Sequence, residues 1–534
     1  MSEADFKQPN IVWIVAEDLS EYIPSFGDST IVTPHLSRLA EEGICYDQFF
    51  SPAAVCAPAR SAIATGMYPT HLGSNHMRTG PWYVSNVSQQ MIDNYAERAL
   101  PPGLQPYEVI LPNGVKMMSE ILRENGYYCT NNSKEDYQFK KSLMAWDESS
   151  NKAHWKNRKE GQPFFSIFNI GVTHESQIWA RAKDSLWVDE NLDVPVPPYL
   201  PDTEIGRNDI RRMYSNIKLM DARVGELIKE LEDEGILDET IIFWYTDHGG
   251  PLPRQKRLLY DSGIKVPLIV RFPDGKLAST RSNEMTSFID LAPTTLSLVG
   301  VQPFDYMDGK AFLGKHKNEE PAQYVFSAAD RFDETYDKNR AVRDNRYKYI
   351  RYFEPEKSMF LHVNYRDQMP IMQELYRLRD EGKLTDTQKL WFRDQKPREE
   401  LFDTKNDPHE IYNLADDLAF SEKKKELNAA LEMWMDDVPD LNFEQESDYF
   451  KKLWPKGVQP VTANPKVSRK GVRVSVENQT EGASLGYQLL SDPLESLTNI
   501  WEVYTGPVEV PQGATLKAIA HKVGFKPSEV VGEK

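Results

Sequence analysis

A doubly wound α/β sheet is the fold class this sequence predicts, on three observations. Short, nearly all-apolar runs rich in β-branched residues recur along the first 300 residues, as expected of strands buried on both faces. Amphipathic helical stretches, several closed by glycine, alternate with them. The chain has 534 residues, 40 % of them hydrophobic and 11 % aromatic. That is enough apolar material for a large core, and it excludes wholesale disorder.

The elements follow in chain order. Asn10-Ile-Val-Trp-Ile-Val-Ala16 reads as a buried strand. Pro34 to Gly43 reads as a helix with Leu36, Leu39 and Ala40 on one face, and Val115 to Gly126 repeats that pattern. Phe164 to Ile170 is a second buried strand, and Arg211 to Gly235 is a long amphipathic helix. Thr240-Ile-Ile-Phe-Trp-Tyr245 and Lys265-Val-Pro-Leu-Ile-Val270 are further strands of the same parallel sheet. After about Gln323 the texture changes. Arg340 to Arg351 reads as a charged hairpin and Lys423 to Asp437 as a helix, which predicts a smaller antiparallel α+β subdomain. Beyond Val461 alternating strands such as Trp501–Pro507 and Ala514–Ala520 predict a small β-sandwich tail. The expected domains are residues 1–322, 323–460 and 461–534.

Lys and Arg number 63 against 81 Asp and Glu, a net charge of −18. The summed field repels phosphate, so nucleic acid is not an expected partner, and any anion site must be a local basic pocket. Cys45, Cys56 and Cys129 cannot build a disulfide framework and leave at least one thiol free. No apolar run approaches a membrane span. Met1-Ser-Glu-Ala-Asp5 has neither the basic nor the apolar region of a signal peptide.

The strongest local signal is Cys56-Ala-Pro-Ala-Arg60, followed by Thr65-Gly66. Pro58 suits a helix's first turn, which puts residue 56 at a helix N-terminus, where free N–H groups and the dipole favour an anion. Arg60, one turn on, can reach back to the same spot. Glu17-Asp18 follows the first strand and Asp247-His248-Gly249 follows the strand ending at Tyr245. Both lie at the end of the sheet where α/β ligands bind, and two acidic clusters there can meet around one hard cation.

The Cys-x-Pro-x-Arg pattern resembles the modification motif of type I, formylglycine-dependent sulfatases, and the similarity runs over about residues 9–440. The resemblance implies an alkaline-phosphatase-like fold. It implies that a formylglycine-generating or equivalent enzyme oxidises Cys56 to formylglycine, whose hydrated gem-diol attacks sulfur. It implies a divalent metal, usually calcium, at Glu17, Asp18, Asp247 and His248. Glu and His stand here for the family's usual Asp and Asn, and the softer His donor tilts the site toward manganese or another transition metal. Arg60, Lys134 and Lys256 are the implied sulfate contacts, and His174, in Gly-Val-Thr-His-Glu-Ser, protonates the leaving oxygen. Many members carry Lys-x-His where this chain has Lys134-Glu-Asp136, so one expected donor is missing.

His71, His76, Arg78, Asp330 and Arg331, with Asp333, are the candidate substrate contacts. The expected substrate is a sulfated polysaccharide or oligosaccharide, and similarity to carrageenan sulfatases points to a galactan. A heparan-type N- or O-sulfatase, a phosphoester or phosphonate hydrolase on the same fold, and a non-catalytic glycan-binding protein are the alternatives. The family suggests a periplasmic or secreted setting. The tail resembles the small β-domain of some chitobiase-type glycosidases.

Overall fold

The computed structural model describes residues 8–84, 87–98, 100–491 and 496–532; residues 1–5, read above for a leader, lie outside them. Among the described residues up to Ser282, nine strands organise the chain: β1 (Asn10–Ala16), β2 (Gly43–Tyr46), β3 (Phe49–Phe50), β4 (Tyr128–Asn132), β5 (Glu148–Ser149), β6 (Phe164–Ile170), β7 (Thr240–Thr246), β8 (Leu268–Arg271) and β9 (Thr280–Ser282). All but β3 form one sheet in the order β5-β4-β6-β1-β7-β8-β2-β9. β3 pairs with Thr286–Ser287.

The centre of the sheet follows from the apolar runs. β1 lies between β6 and β7, parallel to both, and all seven of its residues are buried. Its alternate side chains feed two cores. Val12, Ile14 and Ala16 pack with Ile210, Met213 and Ile217 of the helix Glu204–Asp233. Ile11, Trp13 and Val15 pack with Ile121 and Leu291, from the helices Met118–Glu124 and Leu291–Leu298. The long helix starts seven residues before the expected Arg211, because its polar first turns carry no apolar signal and Thr203 caps it by accepting the Gly206 N–H.

One strand runs against expectation. The apolar run near Val266–Val270 becomes β8, which is antiparallel to both β7 and β2. The chain leaving β7 stays at the sheet's carboxyl end for about twenty residues, with only the short helix Asp261–Ile264, and re-enters the sheet from that same end. The sheet is therefore mixed.

Val325–Ala329, Asn339–Arg343, Tyr347–Tyr352 and Glu399–Asp403 form an antiparallel four-stranded sheet. The helix Ser421–Asp437 covers it through Leu427, Leu431 and Trp434. In the tail, a three-stranded and a four-stranded sheet close on Val474, Val476, Val510, Leu516 and Ala518. Only Glu502–Val503 of the expected Trp501–Pro507 strand is paired. The tail docks on the Met118–Glu124 helix, where Ser484 donates to Glu120 and Arg123 donates to the Trp501 carbonyl at 2.9 Å.

One buried carboxylate gives this assembly a pH dependence. Asp209, on the long helix, accepts the Ile371 N–H at the start of the helix Pro370–Asp380 (2.7 Å). Burial pushes its carboxyl up from 3.8 to about 7, against the pull of that N–H and of Arg212. A raised carboxyl adds stability below the unfolded pKa, and that contribution is lost as pH rises through the folded one. Asp209→Asn keeps the acceptor and removes the charge. Urea unfolding should show little difference from wild type at pH 4 and a gain on the order of 2–4 kcal/mol at pH 8. An equal effect at both pH values would contradict this.

Candidate active site

The parallel register builds the site. Ala16 lies opposite Ile170 on one side and Thr246 on the other, so the residues following all three strands emerge together. Asp18 follows β1 in a left-handed conformation (φ 48°) and its N–H donates to Asp247 Oδ1 at 3.1 Å. The Asp247 N–H donates back to the Ala16 carbonyl at 3.1 Å. Cys56 opens the fully buried helix Cys56–Thr65, after an extended Val55. Its Sγ lies 3.3 Å from His248 Nε2 and 4.0 Å from Asp18 Oδ1.

Asp18, Cys56, Asp247 and His248 each aim one donor atom at a common centre, all within 4.8 Å of one another. His248 Nδ1 is 3.0 Å from the Gly249 carbonyl, which can only accept, so Nδ1 carries the proton. Nε2 then faces Asp18 Oδ1 at 3.0 Å and Asp247 Oδ1 at 3.7 Å. A neutral imidazole would turn its lone pair on two carboxylates. Only positive charge satisfies that arrangement: either a proton on Nε2 or a cation between the three groups. Burial alone would lower the His248 imidazolium, yet Asp247 and Asp18 push it up to about 10. Burial raises both carboxyls as well, but their cationic neighbours, His248 and Arg60 on Asp247 and Lys256 and His174 on Asp18, hold both below the usual range. The residues fit a divalent ion with mixed oxygen and nitrogen donors.

Around this centre cations and anions alternate. Lys134 Nζ donates to Glu17 Oε2 at 2.7 Å, and Lys256 Nζ donates to Asp18 Oδ2 at 2.7 Å. His174 follows β6, its Nδ1 2.8 Å from Ser176 Oγ and its Nε2 3.4 Å from Lys256 Nζ. Burial disfavours a thiolate at Cys56, but Lys134 and Lys256 pull the thiol down to about 6. The field at position 56 therefore favours negative charge. A cleft of about 680 Å³ opens above, lined by Glu17, Lys134, His174 and Lys256 on its floor and by Arg78 and Tyr365 on its walls.

Arg60 is turned differently from expectation. Its Nε and Nη2 donate to Asp247 Oδ2 at 3.1 and 2.9 Å, and Nη1 donates to Asn169 Oδ1 at 2.6 Å. Its fork fixes Asp247 and leaves the cleft to the lysines. Two groups escaped the sequence reading. Glu175, beside His174, accepts from Arg257 at 2.9 and 2.8 Å, lies 3.0 Å from Lys256 Nζ, and gives its N–H to Asp18 Oδ2 at 2.8 Å. Arg257 also pairs with Asp333 on the cleft wall and gives its N–H to the Ala54 carbonyl at 2.8 Å. The two thus tie the Lys256 loop to the Cys56 segment. Their only sequence signal was adjacency to His174 and Lys256.

Four expected substrate contacts belong to the scaffold instead. His71 Nδ1 lies 3.0 Å from Asp308, whose other oxygen accepts the Tyr68 N–H. His76 is buried and its Nδ1 accepts the Arg331 N–H. Asp330 holds Arg340 at 3.1 Å and the Asn75 amide at 2.6 Å. Arg331 is fully buried on Glu446, with contacts of 2.6 and 2.8 Å. In each case a partner within the folded chain engages a group that looks free in a loop. Arg78 does reach the cleft.

Comparisons with known proteins identify the family. A family profile described as Sulfatase matches residues 9–301. A curated ulvan-active sulfatase from Formosa agariphila is 46 % identical over 98 % of this chain and 91 % of its own length. The chain belongs to the sulfatase family. A second profile, the C-terminal part of N-sulphoglucosamine sulphohydrolase, matches residues 254–390 of this sulfatase. The human N-sulphoglucosamine sulphohydrolase is 24 % identical, covering 81 % of this chain and 90 % of its own. A solved 2-O GAG sulfatase superposes with a TM-score of 0.57 at 18 % identity, covering 81 % of this chain and 93 % of its own, a likeness in fold. As a sulfatase the chain is a sulfuric ester hydrolase, and the phosphoester and purely glycan-binding readings fall away.

The buried Arg331–Glu446 pair makes a stability prediction. Among the described residues, Arg331→Met leaves the buried Glu446 carboxylate with the Tyr336 and Tyr107 hydroxyls as its remaining side-chain hydrogen-bond donors. Denaturant unfolding should show a loss of about 3–5 kcal/mol. A loss under ~1 kcal/mol would return Arg331 to the exposed substrate contacts.

Proposed function

We propose that this sulfatase removes sulfate esters from ulvan, in a reaction centred on position 56. The observation that carries the proposal is the four-donor cluster adjoining a cleft lined by Lys134, His174 and Lys256, in a chain 46 % identical over 98 % of its length to an ulvan-active sulfatase. That relative favours ulvan over the carrageenan expected from sequence alone. The N-sulphoglucosamine sulphohydrolase profile supports a second reading, a sulfated glucosamine substrate.

The residues have distinct tasks. Asp18, Asp247 and His248 would hold the cation, with Glu17 as a further candidate ligand, and the nitrogen donor would favour manganese or another transition ion over calcium. With Cys56 converted to formylglycine, a divalent ion held there would supply a hydrated-aldehyde nucleophile of lowered pKa. Lys134 and Lys256 neutralise the sulfate oxygens as charge develops on them. His174, its Nδ1 fixed by Ser176, presents Nε2 toward the departing sugar oxygen as proton donor. Arg60 holds Asp247 in place, and Glu175 keeps Lys256 and Arg257 compensated in the low-dielectric floor.

The substrate reading is tested with protein from a host that carries a modifying enzyme, its conversion verified as loss of the thiol mass from the Cys56 tryptic peptide. Sulfate release from ulvan oligosaccharides should exceed release from carrageenan oligosaccharides and from N-sulfoglucosamine at least tenfold in kcat/KM. Preference for either of the others would replace ulvan. A fully reduced Cys56 in an active preparation would end the formylglycine assignment.

The metal reading has its own test. Asp247→Ala should abolish stoichiometric metal in elemental analysis of the purified protein and lower kcat roughly 10²-fold or more. In competition dialysis of wild type, manganese should displace calcium. Full activity after exhaustive chelation, or preferential retention of calcium, would contradict this account.

A further inference from the structure

Asp136 stands where the resemblance leads one to expect a histidine donor, and it does something a histidine there would not. It is 1 % exposed, in a left-handed conformation (φ 65°), with its N–H given to the Trp82 carbonyl at 3.0 Å. A buried carboxylate cannot donate, so it recruits a donor from elsewhere. Arg78 places Nε 3.0 Å from Asp136 Oδ1 and Nη2 2.8 Å from Oδ2. This is the parallel fork that fixes a guanidinium plane.

The rest of Arg78 is equally constrained. The Met77 N–H donates to the Arg331 carbonyl at 2.7 Å, and Arg331 Nη1 donates back to the Met77 carbonyl at 2.6 Å. The Tyr95 hydroxyl and Arg331 Nη2 both donate to the Arg78 carbonyl, at 3.4 and 3.3 Å. The Tyr83 ring lies 5.1 Å from the guanidinium carbon. With Nε and Nη2 engaged on Asp136, Nη1 has no acceptor among the described residues and the side chain opens on the cleft. Exposure differs across the site: 0 % for Cys56, 2 % for the Lys256 side chain, 15 % for Lys134 and His174, 24 % for Arg78. Arg78 is thus the most solvent-open of these groups.

We propose that Arg78, oriented by Asp136, is a second oxyanion-recognition point, which binds a carboxylate or sulfate on the sugar next to the one being desulfated. The proposal rests on the polysaccharide reading above and deepens it. Asp136 is a positioning residue, and the buried Arg331–Glu446 pair holds the backbone that presents Arg78. The clamp selects chains that carry negative charge on the neighbouring residue and supplies remote binding for positioning.

The test uses wild type, Arg78→Ala, Arg78→Lys and Asp136→Asn as matured full-length protein, each with its melting temperature recorded. The substrates are a small aryl sulfate and three matched ulvan oligosaccharides: unmodified, carboxyl-reduced, and desulfated at the neighbouring sugar. Arg78→Ala should lower kcat/KM on the unmodified oligosaccharide roughly 10–100-fold, mostly through KM, as expected for a lost charge-assisted hydrogen bond. Its loss on the aryl sulfate should be at least tenfold smaller. Arg78→Lys should retain part of the binding, and Asp136→Asn should fall between. On whichever modified oligosaccharide lacks the recognised group, the effect of Arg78→Ala should collapse, because mutation and substrate deletion remove the same contact. That arm identifies carboxylate or sulfate. Equal losses on aryl sulfate and oligosaccharide, or a loss unchanged by both substrate modifications, would overturn the proposal while leaving the ulvan reading intact. Wild-type inactivity on all three oligosaccharides with turnover of the aryl sulfate would remove the ulvan reading and this proposal with it.

Discussion

The mutual charge compensation of groups buried at one end of the sheet is the constraint on which the rest of the structure depends. Asp18, Asp247, His248, Lys256, Glu175 and Arg60 are all buried, and each would be costly to ionise alone. Each faces opposite charge within about 4 Å. Such a network holds only if its members arrive in register from distant parts of the chain. The parallel pairing of β1 with β6 and β7 supplies that register, because the three strands end level and release their polar residues into one volume. The antiparallel entry of β8 serves the same end. A crossover helix would carry the chain away after His248, whereas the observed loop stays over the sheet's carboxyl end and brings Lys256 back to Asp18.

The parts legible in the sequence share a physical reason. β1, β6 and β7 are buried on both faces, so their apolar runs are continuous and their ends are marked by the first acidic residues. Asp18, Asp247 and His248 could be found because they sit at such ends, and Cys56 because it opens a helix within the Cys-x-Pro-x-Arg pattern. β4, with Tyr-Cys-Thr-Asn-Asn, is a strand near the sheet's edge whose polar residues hydrogen-bond sideways, and nothing in its composition separates it from a loop. The direction of β8 is decided by what its preceding loop contacts, which periodicity does not carry. Glu175 and Arg257 were invisible because a buried ion pair looks like two surface charges until both partners are in place. The same ambiguity works in reverse at Asp330 and Arg331, which look like cleft residues and are instead neutralised by Arg340 and Glu446, and at His76, which is buried and accepts the Arg331 N–H.

That reversal has structural content. Arg331 touches Glu446, the Met77 and Arg78 carbonyls and the Asp333 carbonyl, and so joins the segment that follows the Cys56 helix to the one that opens the second sheet's Asp330–Asp333 corner. Asp333 in turn accepts from Arg257. The cleft walls are thus cross-braced by buried pairs whose removal leaves an uncompensated charge, which makes them expensive to disturb. Residues that never meet substrate determine how accurately Arg78 and Lys256 are aimed.

The turn of Arg60 onto Asp247 and Asn169 bears on how charge is managed at the cleft floor. A guanidinium fork matches two oxygens in one plane and is rigid in direction, whereas an ammonium is a compact point charge with three rotatable donors. Here the rigid group is spent on fixing a carboxylate whose position must not vary, and the two lysines are left toward the cleft. Sulfate presents three peripheral oxygens whose orientation changes as the bond to the leaving sugar lengthens, and rotatable donors can follow that change. Glu17 and Glu175 keep the lysine heads from drifting, because each is anchored on one side by a carboxylate 2.7 to 3.0 Å away. The chain as a whole carries −18, yet the field at position 56 is positive enough to pull a buried thiol down to about 6. Net charge is a property of the surface; the chemistry answers to the handful of charges within a few ångströms, and those are set by the register of three strands.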